Sequence, residues 1–317
     1  MHSETLHLPH LARQFYFEPL ALEESAMLAC HMYLWPRITG QAADLSPLSE
    51  AKESNPGSIK YGGGLAHMRK RMAEPNMQSN GPFAAPTILD PAYYWTVEGK
   101  PSMAVIPING MISKGISPFM EFCMGAVNPD RISHALRQAV EAKGIKQIVL
   151  DIGSPGGRTT FTPELAAQVK AAAATRGKTV YAFTDTMIAS AAEWLASQAD
   201  EVIMTASAQV GSIGTYLAFL NPKVAMQMQG YSLELFSKGT HKGLGLPGRD
   251  LTQADREYLQ GTVDSLNAQF VSAVKAGRPK ASEEALTAAK MYDGPDAVRH
   301  GLADGIVGSW DEFVALV

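Results

Sequence analysis

From about residue 100 onward, short apolar runs alternate with amphipathic stretches, and few folds can be built from that pattern. Met103 to Ile108 predicts a strand, and Asp130 to Ala142 an amphipathic helix with Ile132, Leu136, Ala139 and Val140 on one face. Gln147 to Ile152 is an almost unbroken apolar run, as expected of a strand covered on both faces. Thr162 followed by Pro163 predicts a capped helix whose inner face carries Leu165, Val169 and Ala172. Strands at Thr179–Phe183, Glu201–Thr205 and Ser232–Ser237 follow, with helices at Ala191–Ser197 and Val224–Gln229. A long helix at Thr252–Ala276, with Asp255 three residues after its capping threonine, leads to helices at Glu283–Lys290 and Asp296–His300. The alternation implies βαβ units with right-handed crossovers, an α/β fold.

The first 100 residues differ. Residues 1–36 form an N-terminal extension with many apolar residues and a predicted short helix at Glu23–Trp35. Residues 37–99 are rich in Gly, Pro, Ser and Asn, with Gly62-Gly63-Gly64 and Asn80-Gly81-Pro82 as breakers, and predict a flexible linker. Residues 100–317 are then one catalytic-sized α/β domain.

Composition removes several classes of function. A net charge of −4 does not suit a chain built to coat nucleic acid, so no direct nucleic-acid binding is expected. Two cysteines, Cys30 and Cys123, are too few for a disulfide framework or a Cys-rich zinc site, and no metal or cofactor is called for. No positively charged leader and no apolar run of about 18 residues is present, so a cytoplasmic protein without a membrane anchor is expected.

Sites in open α/β folds gather where strands end. Three loops qualify. In Gly153-Ser154-Pro155-Gly156-Gly157, adjacent glycines allow a sharp turn whose N–H groups could face a developing oxyanion; the plainer reading is a strand-to-helix turn. No Gly-Lys-Ser/Thr follows, which excludes a P-loop. In Met187–Ala192, Ser190 opens a helix, either as an ordinary N-cap or as a nucleophile assisted by the Ala191 N–H. In Lys238-Gly239-Thr240-His241-Lys242, three side chains compete as base. His241 has no obvious carboxylate nearby in sequence to orient it. A lysine is normally protonated at neutral pH, but an apolar pocket beside a serine favours the neutral amine, which can take the serine proton. Spacing does not choose between Lys238 and Lys242.

Taken in order, Ser-Pro-Gly-Gly after a strand, Ala-Ser opening a helix, Gly211-Ser212-Ile213-Gly214 and Ser-Lys-Gly-x-His-Lys resemble the signal peptide peptidase A family of Ser-Lys serine peptidases over roughly residues 100–310. The match is closest to its phage branch, the head maturation (capsid assembly) proteases, which share the pattern Leu8-Pro9-His10, Phe17, Glu18-Pro19-Leu20. The resemblance implies a Clp-protease/crotonase-like spiral of βαβ units that assembles into homo-oligomers. It makes Ser190 the nucleophile, Lys242 the general base 52 residues later, Ser212 a hydroxyl that helps hold the lysine, and Gly157 the oxyanion donor with Ala191 as a second.

It also implies protein substrates among capsid scaffold, portal or head proteins, and a place in the host-cell cytoplasm and procapsid interior. Two departures stand out: Gly153 where Asp often precedes Ser-Pro-Gly-Gly, and Ala191-Ala192 in place of glycines after the nucleophile. Some phage relatives continue into a scaffolding segment, so with the last residue at Val317 a separate scaffold is expected. A cellular signal-peptide-degrading peptidase, a catalytically inactive capsid-assembly subunit and a crotonase-like acyl-CoA enzyme remain as alternatives.

Overall fold

The computed structural model describes residues 94–116 and 125–317, together with one strand, Leu20–Leu22. The predicted helix at Glu23–Trp35, most of the linker and both cysteines lie outside the described residues. In chain order the elements begin with β1 (Leu20–Leu22), β2 (Trp95–Val97), β3 (Lys100–Asn109), β4 (Met111–Ile112), β5 (Ala126–Val127) and α1 (Pro129–Glu141). Then come β6 (Gln147–Gly153), β7 (Gly156–Arg158), α2 (Thr162–Ala173), β8 (Thr179–Thr184), β9 (Met187–Ala189), α3 (Ala191–Ala196), β10 (Glu201–Thr205) and β11 (Gln209–Gly211). The chain ends with α4 (Lys223–Met228), α5 (Gln253–Gly277), α6 (Glu283–Thr287), β12 (Met291–Asp293), α7 (Gly294–Arg299), β13 (Gly305–Val307) and α8 (Trp310–Leu316).

The fold is α/β around a six-stranded sheet of order β13-β10-β8-β6-β3-β2. All neighbours in it are parallel except β2, which pairs antiparallel with β3 at the edge. Helices α1, α2 and α3 connect β3, β6, β8 and β10 in turn, the βαβ rhythm expected from the alternation. Side chains alternate across a strand, and β3 shows it. Ala104, Ile106 and Ile108 join a core with Ile132, Leu136, Leu165 and Val169 from α1 and α2. Met103 and Val105 join a second core with Phe183, Trp310 and Phe313. A sheet covered on both faces requires the apolar run in β6, where Ile148, Val149, Leu150 and Ile152 are all buried. Burying each such side chain contributes about 1.5–3 kcal/mol.

Local signals set several boundaries. Asn128 caps α1 by accepting from the Asp130 N–H at 3.0 Å, with Pro129 at the first helical position. The expected cap of α2 differs. Phe161, at φ 69°, occupies the cap position, while Thr162 is the first helical residue and donates its hydroxyl to the Arg158 carbonyl at 2.7 Å. At α5 the capping box forms as read: Asp255 N–H donates to Thr252 Oγ1 at 3.1 Å, and Thr252 N–H donates to Asp255 Oδ2 at 3.0 Å. The strand expected at Ser232–Ser237 does not form. All six residues are exposed, Phe236 at 92%, and none belongs to a ladder. Strand propensity is realised only where a neighbouring edge takes the backbone hydrogen bonds.

The described chain divides into two compact units: 94–116, 125–214 and 270–317 in one, and 215–269 in the other.

Candidate active site

In the larger unit, the Ser-Pro-Gly-Gly loop leaves the end of β6. Gly110 N–H donates to the Gly153 carbonyl at 2.9 Å. Ser154, fully buried, donates its hydroxyl to the Gly110 carbonyl at 2.7 Å and accepts from the Gly156 N–H at 3.2 Å. Its backbone reaches the opposite way: Ser154 N–H donates to the Met187 carbonyl and Ala189 N–H to the Ser154 carbonyl, both at 3.0 Å. The glycine loop and the strand leading to Ser190 are therefore one hydrogen-bonded unit.

Gly157 pairs with Ile112, and a Cβ at that position would stand 2.0 Å from the Ile112 carbonyl oxygen. Only glycine allows that approach. At Gly153 a Cβ would come within 2.7 Å of Asn109 Oδ1 and 3.0 Å of Thr186 Oγ1, so neighbours already fill the space an aspartate would need.

Ser190 follows β9 at once, at φ 56° and ψ −118°. A non-glycine residue held there costs about 1–3 kcal/mol and persists only because its surroundings over-determine it. Here Ser190 N–H donates to the Gly211 carbonyl at 2.8 Å, and the Ser190 carbonyl accepts from Trp194 N–H at 3.0 Å. The ordinary role of a serine at this place is refuted: Ser190 sits at the cap of α3, yet its side chain makes no capping hydrogen bond. Its Oγ instead stands 3.5 Å from the Gly214 carbonyl oxygen, and the residue is 1% exposed.

Helix α3 is buried from Ala191 to Ala196, and Trp194 stacks flat on Phe270 with centroids 4.7 Å apart. The methyl groups of Ala191 and Ala192 are core atoms here. Glu193, one helical turn after Ser190, is a residue the sequence reading passed over. It is fully buried, and neither carboxyl oxygen has a hydrogen-bond partner. Burial pushes its carboxyl up from 4.5 to about 8, against a smaller opposing pull from Arg278.

Ser212 mirrors Ser190. Ala189 and Gly211 are register partners on the parallel strands β9 and β11, and the next residue of each strand turns to positive φ, 53° at Ser212. Ser212 N–H donates to the Lys290 carbonyl at 2.8 Å. A Cβ at Gly211 would meet that same carbonyl at 2.3 Å. Gly157, Ser190, Ala191 and Ser212 thus all belong to the larger unit.

Lys242 belongs to the smaller unit, as do Lys238 and His241. It is exposed, in a turn where its N–H donates to the Gly239 carbonyl at 3.1 Å. His241 has the orienting carboxylate that was not apparent in the sequence. Its Nδ1 lies 2.9 Å from Asp255 Oδ1, and its ring stacks on Tyr258 with centroids 4.7 Å apart. Asp255 is shielded from solvent. Its Oδ2 accepts from Thr252 N–H, Thr252 Oγ1 at 2.8 Å and Arg249 Nη2 at 2.8 Å. The His241 contact, with these others, holds the Asp255 carboxyl well below the usual carboxylate range. A sequence separation of 14 positions hid the pair.

Among the described residues no group of three or more His, Cys, Asp or Glu could hold a metal ion, and no helix is long and apolar enough to cross a membrane.

Comparison with known proteins follows the same lines. The chain is 29% identical over 323 residues to capsid assembly protease C of Escherichia phage lambda, covering all of this chain and 67% of that protein. It is 30% identical over 220 residues to protease 4 of Haemophilus influenzae, covering 67% of this chain and 34% of that protein. It is 24% identical over 220 residues to the chloroplastic serine protease SPPA of Arabidopsis thaliana, covering 68% and 32%. The chain therefore spans 32% to 67% of the length of these relatives. A solved ClpP1 mutant from Listeria monocytogenes overlaps 66% of this chain and 93% of its own, at TM-score 0.41 and 11% identity. Residues 172–316, which include Ser190, Ser212 and Lys242, match the model of Peptidase family S49.

Proposed function

We propose that the chain is a serine endopeptidase working through a Ser190–Lys242 dyad, and that it cleaves capsid scaffold, portal or head proteins during phage procapsid maturation. The observation that carries the reading is Ser190 itself. A buried serine at φ 56° and ψ −118°, opening a helix it does not cap, is a costly arrangement of the kind that clusters at functional sites. A strained turn between strand and helix is how the α/β-hydrolase fold presents its nucleophilic serine.

In the first step the Lys242 amine takes the Ser190 hydroxyl proton as Oγ attacks the peptide carbonyl. The N–H groups of Gly157 and Ala191 stabilise the tetrahedral oxyanion. The Lys242 ammonium then gives its proton to the departing amine, which leaves an ester on Ser190. Water attacks that ester with Lys242 again as base, releasing the acid and restoring the hydroxyl. Ser212 supports the lysine amine. The chemistry requires no cofactor.

The choice of substrate is supported by the name of the lambda relative, a capsid assembly protease. On this reading the enzyme works as a homo-oligomer in the host-cell cytoplasm and procapsid interior. Co-expression with the neighbouring capsid genes, followed by mass mapping, tests it. Wild type is expected to yield processed head proteins and Ser190→Ala none. Identical processing by wild type, Ser190→Ala and Lys242→Ala would overturn both dyad and role.

A further inference from the structure

Lys242 sits in a stretch that has little to hold it. Gly239, Gly243, Gly245 and Gly248 all take positive φ, between 85° and 110°. The backbone bonds there are short-range turns: Lys242 to Gly239, Leu244 to His241, Leu246 to Gly243 and Arg249 to Leu246. Such turns shape a loop locally and do not anchor it to a regular element.

Two side chains tie this stretch to helix α5. His241 and Arg249 converge on one carboxylate, Asp255, which uses Oδ1 for the histidine and Oδ2 for the arginine and for Thr252. Tyr258, three residues after Asp255 and so on the same helical face, lies against the ring at an interplanar angle of 20°. An ionised Asp255 can only accept, so the neutral imidazole carries its proton on Nδ1. With one edge hydrogen-bonded and one face stacked, the ring has no free rotation left. Its backbone neighbour is Lys242.

We infer that His241 is the positioning residue for Lys242: its grip on Asp255 and Tyr258 fastens the glycine-rich turn that carries the lysine to the first turns of α5. The inference rests on the dyad reading. It makes the imidazole a structural clamp. The competing use of the same pair, a histidine base oriented by aspartate, predicts a different response to substitution.

Labelling of the full chain with a fluorophosphonate, a generic serine-reactive probe, separates the cases without knowledge of the substrate. His241→Ala is expected to lower the maximal labelling rate of Ser190 about tenfold or more, with the half-saturating probe concentration unchanged within about twofold. His241→Asn can still donate an N–H to Asp255 Oδ1 but cannot act as a base, and should recover the rate to within about threefold of wild type. Tyr258→Leu removes only the stack and should cost about threefold, which keeps the test open if His241→Ala fails to fold.

An Asn variant as slow as the Ala variant would overturn positioning and make the imidazole itself catalytic. Wild-type labelling by His241→Ala, with Lys242→Ala inactive, would overturn the clamp and leave the dyad standing. Wild-type labelling by Lys242→Ala would overturn the dyad and the clamp with it.

Discussion

The residues that surround Ser190 and those that surround Lys242 are held by different physics. Ser190 is set by the backbone: strand register, the hydrogen bonds of Ser154 and Gly211, and a helix buried on every side. The stretch around Lys242 is tied by side chains: one carboxylate, one imidazole and one guanidinium, with no fully buried apolar residue between 238 and 249. The first arrangement is stiff because removing any part leaves a void or an unpaired backbone group. The second depends on a few polar contacts and can change with little loss of core. If the proposed dyad holds, substitutions around Ser190 and around Lys242 will be tolerated unequally.

Substitutions that probe each side should show that inequality. Trp194→Ala removes the ring stacked on Phe270 and should destabilise the chain by about 4 kcal/mol in urea unfolding. A loss under 1 kcal/mol would mean α3 is not packed as described. Gly157→Ala drives a methyl group into the Ile112 carbonyl and should cost about 3 kcal/mol together with most activity.

Glu193 gives a pH signature. Its folded carboxyl titrates near 8 and its unfolded one near 4.5, so the folded state binds the extra proton between these values. Stability from this group is complete below about pH 4.5 and is lost as pH rises through 8. Between pH 5 and 7 the wild type should lose about 2 kcal/mol that Glu193→Gln does not lose. Parallel pH curves for the two proteins would contradict the buried, unpaired carboxyl. At the small end, Phe236→Ala should change stability by less than about 0.5 kcal/mol, since the ring is 92% exposed. A loss near that of Trp194→Ala would show that the ring is covered and erase the contrast.

What the sequence made legible follows the same division. Strands β3, β6, β8 and β10 of the central sheet, the fold class and the capping box at Thr252 and Asp255 were readable because their signals are local and periodic, whereas the three-residue edge strands β2 and β13 were not. Ser212 came only with the family resemblance, whereas the loops at Gly157 and Ser190 were readable because glycine and serine at strand ends mark turns. Strands β9 and β11 were not, since three residues are too few to show a period of two, yet their register places Ser190 beside Ser212. Ser232–Ser237 misled because strand propensity says nothing of whether an edge is present to receive it. Glu193 was missed because a carboxyl in a short helix normally faces water, and His241–Asp255 because tertiary structure alone brings the two together.

The central claim is that Ser190 is the activated nucleophile and Lys242 its base. Intact-mass measurement and peptide mapping after fluorophosphonate treatment test it most directly, with wild type, Ser190→Ala and Lys242→Ala side by side. The account predicts one adduct, on Ser190, in wild type, none in Ser190→Ala, and labelling slowed at least about 10³-fold in Lys242→Ala. An adduct on another serine, or rapid labelling of Ser190 without Lys242, would contradict it.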